Sequence, residues 1–117
     1  MSSVVVYGIP NCDTMKKARA WLAEREVEYV FHDYKKQGIA RERVAAWCAA
    51  LGWETVMNRA GTTFRKLPAE EREALTESRA IELMIAQPSL IKRPLLEAGG
   101  RVYAGFKPER YAEVFGR

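Results

Sequence analysis

A single histidine, His32, and two cysteines, Cys12 and Cys48, are all the imidazole and thiol groups that this chain of 117 residues possesses. No His, Cys or carboxylate cluster has metal-ligand spacing, so a zinc or iron centre is not expected. A glycine-rich G-x-x-x-x-G-K phosphate loop is also missing, which argues against a nucleotide-driven enzyme. The longest apolar run, Val44 to Leu51, falls well short of the ~18 residues that cross a bilayer, so no membrane association is expected. The opening Met-Ser-Ser-Val carries no charged n-region, and the expectation is a chain without a secretory leader and with a cytoplasmic address. Charge is not massed in one sign either. The net charge is +4, with Lys and Arg interleaved among Asp and Glu. That distribution speaks against direct DNA binding, which usually shows a clustered basic stripe, and suits a small anionic substrate better.

What is present is enough for one compact α/β domain over residues 1–117, because 48% of the chain is hydrophobic and a second core would need more length. Val4, Val5, Val6 and Tyr7 form a β-branched and aromatic run stopped by Gly8, the pattern of a buried strand. Met15, Ala18 and Leu22 then recur at helical spacing, which predicts a helix from about Thr14 to Arg25. Cys12 falls in the turn between the two, where unpaired N–H groups and the positive end of the helix dipole favour an anion. The sulfur itself, as thiolate, is such an anion.

Magnitudes say what else that sulfur needs. An ordinary thiol with a pKa of about 8.5 is only a few per cent thiolate at neutral pH. A helix terminus contributes about 0.3 to 2 kcal/mol, or about 0.2 to 1.5 pKa units. A nearby cation is therefore wanted. The competing interpretation is an inert, partly buried cysteine, but those favour apolar helix faces over a Pro-Asn-Cys-Asp turn. Cys48 shows that other pattern. It shares a predicted helix face, within Arg41 to Leu51, with Val44, Trp47 and Leu51, and reads as a small core hydrophobe rather than a resolving thiol. In a reducing compartment both cysteines are expected to be free.

The remaining elements follow from periodicity. Val27, Tyr29 and Phe31 alternate with Glu28, Val30 and His32, predicting a second strand parallel to the first. Lys35 to Ala40 is a connector, Gly52 stops the helix begun at Arg41, and Trp53 to Lys66 lacks periodicity. Pro68 opens a helix, and another runs from about Ser78 until Pro88. Ile91 to Glu97 holds Pro94, which belongs at a strand's beginning or edge. Gly99-Gly100 predicts a hairpin, Arg101 to Ala104 the returning strand, and Pro108 the start of a last helix. His32 lies in the second strand, where packing or hydrogen bonding is favoured over a general-base role.

The run Y-G-I-P-N-C-D-T-M-K-K-A-R-A-W-L from Tyr7 to Leu22 resembles the amino-terminal segment of the arsenate reductase (ArsC) and Spx family, in its YffB-type branch. So do F-H-D-Y-K-K from Phe31 to Lys36, N-R-A-G-T-T-F-R-K-L from Asn58 to Leu67, and I-K-R-P-L-L from Ile91 to Leu96. The resemblance implies a thioredoxin-like fold with a mixed four-stranded sheet, its core about 1–38 and 89–117 and an all-helical insertion about 39–88. It also implies that Pro94 lies opposite Cys12 after a cis peptide bond, and that Arg93 contacts an oxyanion there. A planar guanidinium fork suits a tetrahedral oxyanion or a carboxylate of glutathione. Cys12 and Arg93 are thus the expected catalytic pair, with Asn11, Asp13, Thr14, Arg59, Pro94 and Lys107 as anion-binding candidates. Where some arsenate reductases of the family have a third arginine, this chain has Lys107, which keeps the charge but loses the fork and counts against arsenate as substrate.

Met15 stands where a C-x-x-C motif would place a second cysteine, so a local disulfide is not available. A monothiol forms a mixed disulfide with an outside thiol instead. The resemblance therefore implies a thiol oxidoreductase without a tightly bound cofactor, using glutathione as co-substrate and glutathione or glutaredoxin as partner, on a small anion or an oxidised thiol. The alternative it carries is a Spx-like regulator that binds RNA polymerase, favoured by the N-R-A-G-T-T-F-R-K block and disfavoured by the missing second cysteine.

Overall fold

Val5–Gly8 forms β1, and its β-branched run pairs on both sides. The computed structural model describes residues 4–117. The opening Met-Ser-Ser, on which the expectation of no secretory leader rests, lies outside the described residues. Two units emerge, one made of the chain up to Tyr34 and from Arg93 onward, the other of Lys35–Lys92, a wider central segment than the 39–88 expected.

In the first unit, β1 is followed by α1 (Asp13–Glu24), β2 (Val30–Asp33), β3 (Leu95–Ala98), β4 (Arg101–Ala104) and a carboxyl-terminal helix, Pro108–Phe115. The sheet order is β2-β1-β3-β4. β1 runs parallel to β2, with Tyr7 opposite His32 and Gly8 opposite Asp33. It runs antiparallel to β3, with Tyr7 opposite Leu95, and β3 is antiparallel to β4. This is the mixed sheet of a thioredoxin-like fold. Gly99 and Gly100, both at positive φ, make the two-residue turn between β3 and β4.

One face of the sheet is closed by a cluster of Val6, Met15, Ala18, Trp21, Leu22, Leu96, Ala98 and Tyr111. Trp21 and Phe106 meet the Tyr111 ring edge-on, at centroid distances of 5.6 and 4.8 Å. Gly8 has a packing reason. A Cβ there would run into the buried Met15 side chain, which would have to shift, so glycine is what lets the strand end lie undisturbed against the first turn of α1.

Tyr111 is fully buried, and its hydroxyl finds no hydrogen-bond partner among the described residues. A buried hydroxyl without a partner costs about 1 to 3 kcal/mol. Tyr111→Phe keeps both edge-on ring contacts and should raise the unfolding free energy by about 1 kcal/mol. Urea unfolding checks this, and a loss of stability would show that the hydroxyl is satisfied after all.

The expected second strand is shorter than its periodicity. Val27 donates its N–H to the Leu22 carbonyl at 2.9 Å and Glu26 to that of Ala23 at 3.1 Å, with Glu26 at φ 57. That left-handed cap consumes Val27 in ending α1, and pairing begins only at Val30.

The second unit, among its described residues, is built of helices. A one-turn α2 (Tyr34–Gln37) leads into it, and α3 (Arg41–Leu51) ends at Gly52 as expected. Trp53–Lys66, expected irregular, holds two single turns, α4 (Trp53–Val56) and α5 (Thr62–Arg65). Four residues are too few for a 3.6-residue repeat to register. α6 (Ala69–Glu73) and α7 (Glu77–Ala86) follow, α7 capped by the Thr76 hydroxyl accepting from the Arg79 N–H at 3.2 Å. Val44, Trp47 and Cys48 of α3 and Ala80, Ile81, Leu83 and Met84 of α7 are buried. The carboxyl-terminal helix Pro108–Phe115 of the first unit is α8.

Candidate active site

The strand register gathers one end of the sheet. β1 and β2 both finish there, at Gly8 and Asp33, while the antiparallel β3 begins there, preceded by Arg93 and Pro94. β4 ends there too, because Ala104 pairs with Leu95. Pro94 is buried, its peptide bond with Arg93 is cis, and its carbonyl accepts from the Gly105 N–H at 2.9 Å.

Cys12 is the residue that caps α1, with extended backbone at φ −120 and ψ 131. Its own carbonyl closes the first turn by accepting from the Lys16 N–H at 3.0 Å. The sulfur is partly exposed and packs at the rim of the hydrophobic cluster. It makes no capping hydrogen bond of strict geometry, yet the amides at the helix start lie close enough to favour its anion. Burial pushes the thiol up. The Met15 N–H, a hydrogen bond from the Arg93 guanidinium, the Thr14 N–H and the Arg93 charge together outweigh it, and the net shift is downward. The expected pairing of helix start and cation is thus physically present at one sulfur.

Arg93 is half-buried and donates to two side chains, Cys12 and Tyr34. Burial works against its charge, but these two neighbours more than compensate, and the guanidinium stays protonated. Tyr34 is fully buried. Burial pushes its phenol up to about 12 despite the opposing Arg93 charge, so it is a neutral hydroxyl at physiological pH. Tyr34 is not among the site residues expected from the sequence. The available signal is its place directly after β2, at the sheet end that also receives Cys12.

The other expected residues are distributed as follows. Asn11 and Asp13 are exposed beside Cys12, Thr14 is half-buried, and Asp13 suits the positive end of α1. Lys107 caps α8 at the same sheet end with its side chain exposed, and it is not among the groups acting on the Cys12 thiol. Arg59 belongs to the second unit, where it is exposed and its guanidinium stands 5.8 Å from the Trp53 ring centroid. His32 lies in β2 with its ring 5.1 Å from that of Tyr7, and Tyr7 donates its hydroxyl to Glu97 at 2.9 Å. Cys48 is buried in α3, and burial, with Glu77 adding to it, pushes its thiol up to about 11. Among the described residues no group of His, Cys, Asp and Glu is placed to hold a metal ion.

A cysteine at a helix start, a cis proline opening β3 and an arginine before it are the motif positions the resemblance rests on. The family model described as the ArsC family matches residues 7–114. The chain belongs to the ArsC family. Among solved structures, the YffB protein is 62% identical with a TM-score of 0.93, covering 96% of this chain and 98% of that one. An arsenate reductase (ArsC) related protein from Brucella melitensis is 51% identical with a TM-score of 0.78, over 98% of this chain and 96% of that one. The global transcriptional regulator Spx of Streptococcus pyogenes is 28% identical over 97% of this chain and 86% of its own length. This ArsC-family chain therefore has both arsenate reductase-like and Spx-like relatives. No helix among the described residues is long and apolar enough to cross a membrane.

Proposed function

We propose that this ArsC-family chain is a cytoplasmic monothiol oxidoreductase in which Cys12 is the nucleophile, Arg93 the anion-binding and activating cation, and glutathione the co-substrate. The observation that carries it is the Cys12 thiol held below its ordinary pKa by helix-start amides and the Arg93 guanidinium. Met15, in the first turn of α1, offers no second thiol, which favours an external reductant.

On a glutathione mixed disulfide the steps balance. The Cys12 thiolate attacks the glutathione sulfur, forming Cys12–S–S–glutathione and expelling the substrate as thiolate. A second glutathione thiolate then attacks that disulfide, releasing oxidised glutathione and restoring the Cys12 thiolate. One glutathione sulfur is oxidised from thiolate to disulfide, the other arrives already at the disulfide level with the substrate, and the substrate sulfur leaves as thiolate with the electron pair of the broken S–S bond. Arg93 supports this by neutralising a carboxylate of glutathione and the charge shared among the sulfurs. Asn11, Asp13, Thr14, Pro94 and Lys107 are the further anion-binding candidates of the first unit. Arsenate is a second candidate substrate, with Lys107 in place of a bidentate arginine lowering its efficiency. Glutaredoxin is the expected protein partner where glutathione alone is slow.

The test is turnover of a glutathionylated peptide in the presence of glutathione, followed by release of oxidised glutathione. Steady turnover is expected. Absence of both turnover and a Cys12 adduct would reject the proposal. The Spx relative and the N-R-A-G-T-T-F-R-K block favour a second function, binding to RNA polymerase. Capture of RNA polymerase from extract by the tagged protein, without thiol turnover, is the outcome that function predicts.

A further inference from the structure

Arg93 is a long, flexible side chain, and a flexible cation gives a fixed bias to a sulfur only when something holds it. The fold supplies such a holder. Asp33 ends β2 opposite Gly8, so the next residue, Tyr34, is delivered to the sheet end at which Cys12 and Arg93 also arrive. Tyr34 is entirely buried, and its hydroxyl is hydrogen-bonded to the same guanidinium that is hydrogen-bonded to the Cys12 sulfur. A buried phenol has a stiff ring and two torsions, so its oxygen is a stationary acceptor.

We propose that Tyr34 is a positioning residue: by accepting a hydrogen bond from Arg93 it fixes the guanidinium fork against the Cys12 sulfur and so sets how much thiolate the site holds. This inference rests on the proposed role of Cys12 and Arg93. Tyr34 itself has no need to touch substrate, and being neutral it adds no charge that would oppose the thiolate. The titratable or charged groups acting on it are Arg93, Cys12 and Asp33. Those acting on the sulfur are Arg93 and the Met15 and Thr14 amides. Tyr34 is not among the groups acting on the Cys12 thiol, so the route by which its neutral hydroxyl influences the sulfur is through Arg93.

That route makes a specific prediction, read as the pH midpoint of iodoacetamide alkylation in the Cys48→Ser background, where Cys12 is the one thiol. Tyr34→Phe removes one oxygen and keeps the ring. It should raise the midpoint by about 0.3 to 0.8 pH unit, so that below both midpoints alkylation slows about 2- to 6-fold. Arg93→Ala should raise the midpoint further. In the Arg93→Ala background Tyr34→Phe should add nothing, the non-additivity expected of groups acting in series. Tyr34→Leu should reproduce the Phe shift, since the hydroxyl is what matters.

A purely structural Tyr34 would leave the midpoint in place in Tyr34→Phe, or would shift it equally with and without Arg93. Either result overturns the inference while leaving Arg93 as the activating cation. An Arg93→Ala protein with an unmoved midpoint would overturn both that role and the inference.

Discussion

Cys12→Ser is expected to abolish mixed-disulfide formation with oxidised glutathione, whereas Cys48→Ser should leave it within experimental error of wild type. The two sulfurs differ in ionisation and in access. With its pKa pushed up to about 11, Cys48 is thiolate in only about one molecule in ten thousand at pH 7. Cys12, shifted below the ordinary thiol value, holds more thiolate than an unperturbed cysteine does. The ratio of thiolate populations is thus at least about 100-fold. A more basic thiolate is intrinsically more nucleophilic, which returns about 10-fold of that to Cys48. Access then decides: Cys48 is 2% exposed on a helix face with Val44 and Trp47, while Cys12 is partly exposed. Intact-mass measurement after exposure to oxidised glutathione reads the result directly. Equal labelling of the two cysteines would be incompatible with the proposed chemistry.

Arg93→Ala is expected to lower kcat/KM for a glutathionylated substrate by roughly 10- to 100-fold, from the loss of charge-assisted hydrogen bonds worth about 1.5 to 3 kcal/mol. Two contributions are separable. The first is activation: the guanidinium favours the Cys12 anion, an effect that solvent moderates because this sulfur is partly exposed. Its sign is fixed. Removing the cation raises the pKa, so reactivity at neutral pH falls and is recovered as pH climbs through the new value. The second is anion binding, which high pH does not restore. Arg93→Lys keeps the charge without the fork and should recover the first contribution more fully than the second. A pH profile of kcat/KM for the three proteins checks this, and a profile for Arg93→Ala that overlays wild type would remove Arg93 from the mechanism.

Much of this site was legible because its decisive features are local. Gly8 after V-V-V-Y and the Met15, Ala18, Leu22 spacing set Cys12 at a helix start without reference to the rest of the chain. The Gly99-Gly100 turn and the bounds of β4 and α3 are local in the same sense. What escaped depends on distant parts of the chain. Tyr34 has its hydroxyl partner in Arg93, far along the sequence, and nothing in F-H-D-Y-K-K announces it. Val27 and Tyr29 alternate like strand residues because, with Phe31, they pack on the Val6 to Tyr111 cluster, but burial on alternate residues does not require ladder pairing. The single turns at Trp53–Val56 and Thr62–Arg65 are below the length at which periodicity is readable.

The most direct measurement is the pKa of Cys12 itself, taken from the pH dependence of iodoacetamide alkylation in the Cys48→Ser protein. A midpoint below the ordinary thiol value of about 8.5 is expected. A midpoint at or above that value would mean that burial prevails over the helix-start amides and the guanidinium, and would contradict a thiolate nucleophile at this position.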